Sequence, residues 1–495
     1  MVAAQDFSPF TRPEVAPNWV DGRVSQTTHG RRLEKRSPAD GTVLCQVTRS
    51  DGVDLEAAIS AAERAQPSWG AMPAVQRGML LHDLAMALRA RREEMAELVA
   101  LETGKSHREA LGETDAAIAQ GLFMAGEGQR LFGRTTSAVP NRHIQIVRKP
   151  IGIAGLIIAA NTPIANVAWK VFPALVCGNS VVLKAAEDTP PTAWLFAEIS
   201  AEAGIPPGVL NVVQGLGAEV GAALVAHPKV GVISFTGSTA VGRQIAAVAG
   251  ERLARVSLEL GGKNPLVVCD DADLDNAEQW ALLSAFSNAG QRCAAGSRII
   301  VFDAVYEAFR ERLIAATQQL RVGPSDDDDL GPVINERQLN NMLAAIETAE
   351  GHGASVLVGG KRLDDAAHGD GFYLAPTLIE NVAPDDELSK IELFGPVATL
   401  YRVPDFNAAL ALANQSPYGL TAAIHTRDLN RATEFCHHVK AGVAVVNAGT
   451  YGSEPHLPFG GFKDSGNGSR EPGPEALDVY SELRNISITS NPDRI

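Results

Sequence analysis

The stretch between residues 151 and 260 constrains the fold more than any other. Short apolar runs rich in branched residues alternate there with longer segments whose apolar residues recur at helical spacing. Strands are expected at Ile153 to Ala160, Ser180 to Lys184, Val209 to Val213, Val230 to Phe235 and Val256 to Leu260. Helices are expected between them at Ile164 to Val176, Pro191 to Ala203, Ala218 to Ala226 and Thr239 to Ala249. Such alternation implies a doubly wound parallel sheet. Sheets of that kind take ligands at the carboxyl ends of their strands, so the residues that close each strand are where chemistry is expected.

The rest of the chain is built around this stretch. Residues up to about 50 look like short strands and turns, with Asp21-Gly22 and Asp40-Gly41 as turn signals. Asp54 to Ala65 and Val75 to Leu101 have helical spacing, and their many Arg and Glu residues read as a solvated face. A second α/β region follows Gly261, with strands at Leu266 to Val268 and Arg298 to Phe302 and helices at Tyr306 to Leu320 and Glu336 to Ala349. Arg142 to Val147 and Ser481 to Ile488 alternate as edge strands do. A chain of 495 residues, 45% hydrophobic and 20% charged, has room for about three domains and a large core.

Its net charge of −15 argues against a nucleic-acid binder and against docking on an anionic membrane. The best apolar run, Ile151 to Ala160, is about half of the ~20 residues that span a bilayer. Met1 to Phe10 lacks the basic and apolar pattern of a secretory leader. Five scattered cysteines without a CxxC fit a reducing compartment, so a cytoplasmic location is expected. Asp326 to Asp329 lacks EF-hand spacing and reads as a solvated loop, and no metal is expected.

Five places carry candidate chemistry, and each has a plain alternative. Gly215-Leu216-Gly217 with Gly221, and Phe235-Thr236-Gly237-Ser238 entering a helix, can present backbone N–H groups to a phosphate, or can simply be tight turns. Lys184 and Glu187 follow a strand, where a carboxylate can take ribose hydroxyls; otherwise they are surface residues. Cys293 ends a polar stretch directly after Arg292, whose cation can favour the thiolate; the alternative is an inert buried thiol. Glu259 lies within the apolar Leu258-Glu259-Leu260, where burial would raise its pKa and prepare a general base, unless a basic residue pairs with it. Asn161 closes an apolar strand before Thr162-Pro163 and can donate to an oxyanion or merely form the turn.

Taken together, in this order and spacing, these stretches resemble the NAD(P)-dependent aldehyde dehydrogenase superfamily. The most specific are Leu258 to Pro265, Gly290-Gln291-Arg292-Cys293, Phe235 to Gly242, Glu392-Leu393-Phe394-Gly395-Pro396 and Pro458 to Gly466. The resemblance implies an α/β fold with two doubly wound domains and a small β bridging domain. It divides the chain into a cofactor domain (1–129 and 149–259), a catalytic domain (260–471) and an oligomerisation domain (130–148 and 472–495). It implies that Cys293 attacks the aldehyde, Asn161 and the Cys293 N–H hold the oxyanion, and Glu259 activates water against the thioester. Lys184 and Glu187 would bind the adenosine ribose, Gly217 and Gly221 would approach the adenine, and Gly237 and Ser238 would hold pyrophosphate. Glu392 and Phe394 would position the nicotinamide ribose and ring, with Phe235, Val241, Leu260 and Gly261 beside the cofactor. Glu187 would repel a 2′-phosphate, so NAD is favoured and NADP remains possible. Homodimers or homotetramers are implied through the last strand.

Where many relatives have aromatic residues around the asparagine, this chain has Ala160 and Thr162. Thr162 and Asn166 would widen the aldehyde tunnel and make it more polar. Trp169, Tyr451 and Phe459 would keep aromatic walls, with Ser453, Glu454 and His456 adding polar groups. The segment Ser465 to Tyr480 and Arg292 look most like the 2-oxoglutarate semialdehyde dehydrogenase branch, which implies a carboxylated semialdehyde. The rival is a bulky or aromatic aldehyde of benzaldehyde type. A CoA-acylating relative would usually lack Glu259, and a non-catalytic descendant would be expected to lose Cys293 or Asn161.

Overall fold

The alternating stretch forms five consecutive strands of a seven-stranded sheet in the computed structural model, which describes residues 13–25, 27 and 29–494. The Met1 to Phe10 stretch lies outside the described residues. The parallel strands run, in spatial order, Arg255–Glu259, Val230–Thr236, Ile153–Ile157, Ser180–Lys184 and Leu210–Val213. An antiparallel hairpin, Asn18–Val20 and Arg23–Ser25, extends the sheet past Leu210–Val213. Its turn is Asp21-Gly22, both at positive φ (56° and 75°), the backbone that a two-residue hairpin needs.

Ile153–Ile157 is where the winding reverses: the next two strands lie to one side of it and the following two to the other. A crevice opens at such a point. Register brings the strand ends level, with Ile157 opposite both Lys184 and Phe235, and Thr236 opposite Glu259. Asn161, Lys184, Gly237 and Glu259 therefore leave neighbouring strands at one edge of the sheet. The first strand ends at Ile157, before Ala160, because the chain must turn into the helix Pro163–Val176, whose first position is a proline. The helix expected from Ala218 opens instead as a π turn, Gly217–Gly221, followed by Ala222–Ala226.

One face of this sheet is covered by Pro163–Val176 and Pro190–Glu202, and these by the helices Ala74–Ala90, Arg92–Thr103 and His107–Glu127. Leu81, Leu84, Leu88, Val99, Val171 and Phe172 are fully buried between them. Each such side chain contributes about 1.5–3 kcal/mol by leaving water.

The second seven-stranded sheet runs Ser355–Val358, Thr377–Glu380, Val397–Val403, Arg298–Phe302, Pro265–Val268, Thr421–His425 and Val443–Val446, parallel except for the first pair. The two expected edge strands pair with each other. Ser481–Thr489 lies antiparallel to Arg142–Pro150 from Ser481↔Pro150 to Thr489↔Arg142, and Arg134–Thr136 completes a three-stranded sheet. The acidic run is a loop whose carboxylates accept backbone N–H groups, Asp326 from His107 and Asp328 from Ser325. Among the described residues no helix is long and apolar enough to cross a membrane.

Candidate active site

The loop that carries Cys293 is a sharp left-handed turn. Asn288, Ala289 and Gly290 have φ of 52°, 51° and 66°, a conformation costly for the two that are not glycine. Gly290 is required there, since a Cβ would come 2.2 Å from the Gly395 carbonyl oxygen. Asn264, in the Gly261 to Pro265 turn, pins the loop from below. Its Nδ2 donates to the carbonyls of Cys293 (2.8 Å) and Ala295 (2.9 Å), while its Oδ1 accepts from Thr421 (3.0 Å). Gly262 also lies beneath the Cys293 carbonyl, where a Cβ would come within 2.5 Å.

Two cavities meet at Cys293. The first, of about 380 Å³, is lined by Cys293, Asn161, Thr162, Trp169, Phe459, Arg292 and Tyr451. The second, of about 290 Å³, shares Cys293, Asn161, Thr162, Trp169 and Phe459 and continues past Glu259, Leu260 and Gly261 to Gly237, Ser238, Glu392 and Phe394. Trp169 and Phe459 pack at 5.4 Å between ring centres, and Arg292 lies 5.0 Å over the Tyr451 ring. Asn166 lines the second cavity and not the first, because its amide turns back onto Thr162, donating to its carbonyl (2.9 Å) and hydroxyl (3.0 Å). It therefore satisfies Thr162 and does not make the first cavity more polar.

The titrating groups are set by burial. Burial pushes the Cys293 thiol up to about 12, and the carboxylates of Glu392 and Glu259 push the same way. Arg292 opposes this and is outweighed, so the cation before the cysteine does not make a resting thiolate. Glu259 is 4% exposed, and among the described residues neither carboxylate oxygen has a hydrogen-bond partner. Burial holds its pKa well above the ordinary carboxyl range, and Glu471 adds to the effect. Among the described residues no basic side chain forms an ion pair with Glu259. The nearby Lys170 bonds to Glu471 (2.8 Å) and to Ser234 (2.6 Å). Glu392 accepts from the Gly262 N–H (2.9 Å), and burial raises its pKa to about 7.

Asn161 is held from both ends. Its Nδ2 donates to the Gln291 carbonyl (2.9 Å), and its own carbonyl accepts from Lys105 Nζ (2.7 Å). Lys105 is also paired with Glu113 (2.6 Å), and Glu113 Oε1 accepts from the N–H groups of Ile164 (3.0 Å) and Ala165 (3.3 Å). Glu113 thus caps the helix Pro163–Val176, for which Thr162 offers no side-chain cap. Sequence reasoning passed over Lys105, Glu113 and the whole wall they belong to. The available signal was the spacing of Glu109, Gly112, Glu113, Ala116 and Gln120 along one helix face.

The far end of the second cavity's sheet edge gathers Lys184, Glu187 and Gly217. Lys184 Nζ lies 3.1 Å from Glu187, whose other oxygen accepts the Gly217 N–H. Burial works against the Glu187 carboxylate, but Lys184 and Gly217 outweigh it and hold its pKa below the ordinary value. Gly221 lies in the π turn that follows, with open space where a Cβ would stand. Phe235 is buried beneath Gly237, where a Cβ would strike its ring at 2.4 Å. The strand end is therefore bare backbone leading into the helix Thr239–Glu251, a surface suited to a phosphate. Ser238 caps that helix by accepting from Val241 (3.4 Å), and Val241 is 42% exposed. Neither Phe235 nor Val241 lines the second cavity.

A crevice at the switch point, a bare strand–helix turn and a cysteine between two cavities suit an oxidoreductase that acts on aldehydes, and comparison with known proteins agrees. The aldehyde dehydrogenase family model matches residues 24–486, and the chain belongs to that family. It is 36% identical over 486 residues to an alpha-ketoglutaric semialdehyde dehydrogenase of Bacillus subtilis (strain 168), covering 97% of this chain and 100% of that one. Among solved structures it resembles betaine aldehyde dehydrogenase from Staphylococcus aureus in complex with NAD+ (33% identity, TM-score 0.94, 96% and 95% of the two chains). It also resembles PnpE from Pseudomonas sp. WBC-3 (36% identity, TM-score 0.93, 96% and 97%).

Proposed function

We propose that the chain oxidises a carboxylated semialdehyde to the corresponding acid, with NAD as electron acceptor. The observation that carries this reading is the meeting of two cavities at Cys293, with Asn161 beside it and Glu259 in the cavity beyond. Bound NAD would take up the hydride. The remaining chemistry belongs to the chain. Cys293 gives up its proton to solvent and its sulfur bonds to the aldehyde carbon, the carbonyl π pair moving onto oxygen. Asn161 Nδ2 and the Cys293 N–H hold the oxygen as it gains charge. Once the hydride has left, the carbon is a thioester. Glu259 takes a proton from water, the water oxygen bonds to that carbon, and the C–S bond breaks to release the acid. A carboxylate with a raised pKa is a stronger base, which suits the buried and unpartnered Glu259 to that step.

The cofactor reading is supported by the bare backbone at Gly237, the capped helix after it and Glu392 at the cavity's end. Gly237 and Ser238 would hold pyrophosphate, Lys184 and Glu187 the adenosine ribose, and Glu392 and Phe394 the nicotinamide end. The charge on Glu187 favours NAD over NADP. Arg292 in the first cavity and the Bacillus subtilis relative both support a carboxylated substrate. The second reading, an aromatic aldehyde, rests on the wall of Trp169, Phe459 and Tyr451. We further propose assembly as a homodimer or homotetramer through Ser481–Thr489, and a three-part division at 1–129 with 149–259, 260–471, and 130–148 with 472–495.

Absorbance of reduced nicotinamide, followed with NAD and NADP over semialdehydes, aliphatic and aromatic aldehydes, tests the reading. Turnover should be greatest with a semialdehyde and NAD. Cys293→Ser should abolish it, and Glu259→Gln should leave a burst without steady turnover. Full activity in either variant would remove that residue from the mechanism.

A further inference from the structure

The first cavity is walled on one side by the helix His107–Glu127, through Glu109, Gly112, Glu113, Ala116 and Gln120. The carboxylates on this wall are already engaged. Glu113 holds Lys105 and two N–H groups, and Glu109 accepts from the Asn288 N–H (2.8 Å) and lies 3.5 Å from Arg292. Gln120 differs. It is 1% exposed, yet among the described residues neither its amide nitrogen nor its amide oxygen has a partner. In the same cavity lining, the Nε–H of Arg292 is also buried and has no partner among the described residues. A buried amide without partners is costly, and a fold tolerates it where a ligand supplies them. With no hydrogen bond to hold it, the amide can turn about its last side-chain bond toward an arriving group.

We propose that Gln120 is a specificity-determining residue that, with Arg292, receives a substrate tail bearing a hydroxyl beside a carboxylate. The carboxylate takes the Arg292 Nε–H and an amide N–H of Gln120; the hydroxyl donates to Gln120 Oε1. A plain alkyl tail satisfies none of these groups, and a plain carboxylate leaves Oε1 unpartnered. Sites built to hydrogen-bond a hydroxyl discriminate strongly against analogues that lack it. This inference rests on the semialdehyde reading and narrows it.

The test compares the wild type with Gln120→Met, of nearly the same volume, on four aldehydes of equal length. Their tails are alkyl, ω-hydroxy, ω-carboxy and hydroxylated ω-carboxy. The wild type should prefer the hydroxylated carboxylate over the plain one by about tenfold or more in kcat/KM. The variant should lose that preference through KM and keep alkyl turnover within about twofold. A wild type without the preference, or a variant that keeps it, overturns the proposal. The ligand-free variant should also melt at or above the wild-type temperature; a lower midpoint would mean the amide serves the fold, and would likewise overturn it. If alkyl aldehydes turn over and no carboxylated one does, the semialdehyde reading fails. The ω-hydroxy and alkyl pair then decides Gln120 alone: loss of a hydroxy preference in the variant supports its role, and no change refutes it.

Discussion

At the scale of the residue, the site is governed by what burial does to charge. With burial pushing its thiol up to about 12, Cys293 of the ligand-free protein is held as the thiol at neutral pH. Because the pKa lies above the working range, the thiolate population grows as pH rises. Alkylation of Cys293 by iodoacetamide should therefore accelerate about tenfold per pH unit from 7 to 9. A plateau near pH 7 would contradict this. Asn161 raises a different matter, since its carbonyl depends on an ion pair that is itself buried, Lys105 with Glu113. On the proposed role of Asn161, Lys105→Met should lower kcat about tenfold with little change in KM, because it shifts an oxyanion donor without removing it. Glu113→Gln should act more on stability, by about 3 kcal/mol in chemical denaturation, because it leaves the Lys105 charge uncompensated.

Turns and helix faces raise a different question, namely which changes the backbone will accept. Asn264→Ala removes the hydrogen bonds that pin the Cys293 turn and leaves the buried carbonyls of Cys293 and Ala295 unsatisfied. A loss of about 2–4 kcal/mol in chemical denaturation is expected, with a fall in burst amplitude as the turn loosens. Gly112 should behave in the opposite way. It lies within the helix His107–Glu127, and nothing stands within 4 Å of where its Cβ would be. Gly112→Leu should hold or raise stability by up to about 1 kcal/mol while cutting kcat/KM for long aldehydes more than for acetaldehyde. The contrast between these two elements also explains what could be read in advance. The gathering of Asn161, Lys184, Gly237 and Glu259 at one sheet edge was legible because each lies at or just past the end of an apolar strand of one parallel sheet. The wall from Glu109 to Gln120 was not legible. A polar stripe on a helix normally faces solvent, and nothing in the stripe itself shows that Arg292, Trp169, Tyr451 and Phe459 line a cavity with it. The inward turn of Asn166 onto Thr162 escaped for a similar reason: local hydrogen bonding took a polar group that composition alone assigns to the tunnel.

For the molecule as a whole, the C-terminal segment binds distant parts together. Glu471 accepts from Lys170, Ser234 and Tyr480, so the first sheet's interior includes a residue more than two hundred positions from the strand it touches. Beyond it, Ser481–Thr489 leaves one edge open, with Leu483 and Ile488 61% and 52% exposed. If assembly proceeds through this strand, Leu483→Glu with Ile488→Glu should reduce the mass measured by light scattering to that of one chain while leaving thermal unfolding of the subunit cooperative. An unchanged mass would place the interface elsewhere. The meeting of two cavities at one sulfur has a further consequence for traffic. Cys293 lies where the linings of the two cavities coincide, so it borders both. On the proposed function, the aldehyde and the cofactor would then occupy separate rooms around one sulfur, and exchange on one side would not require clearing the other.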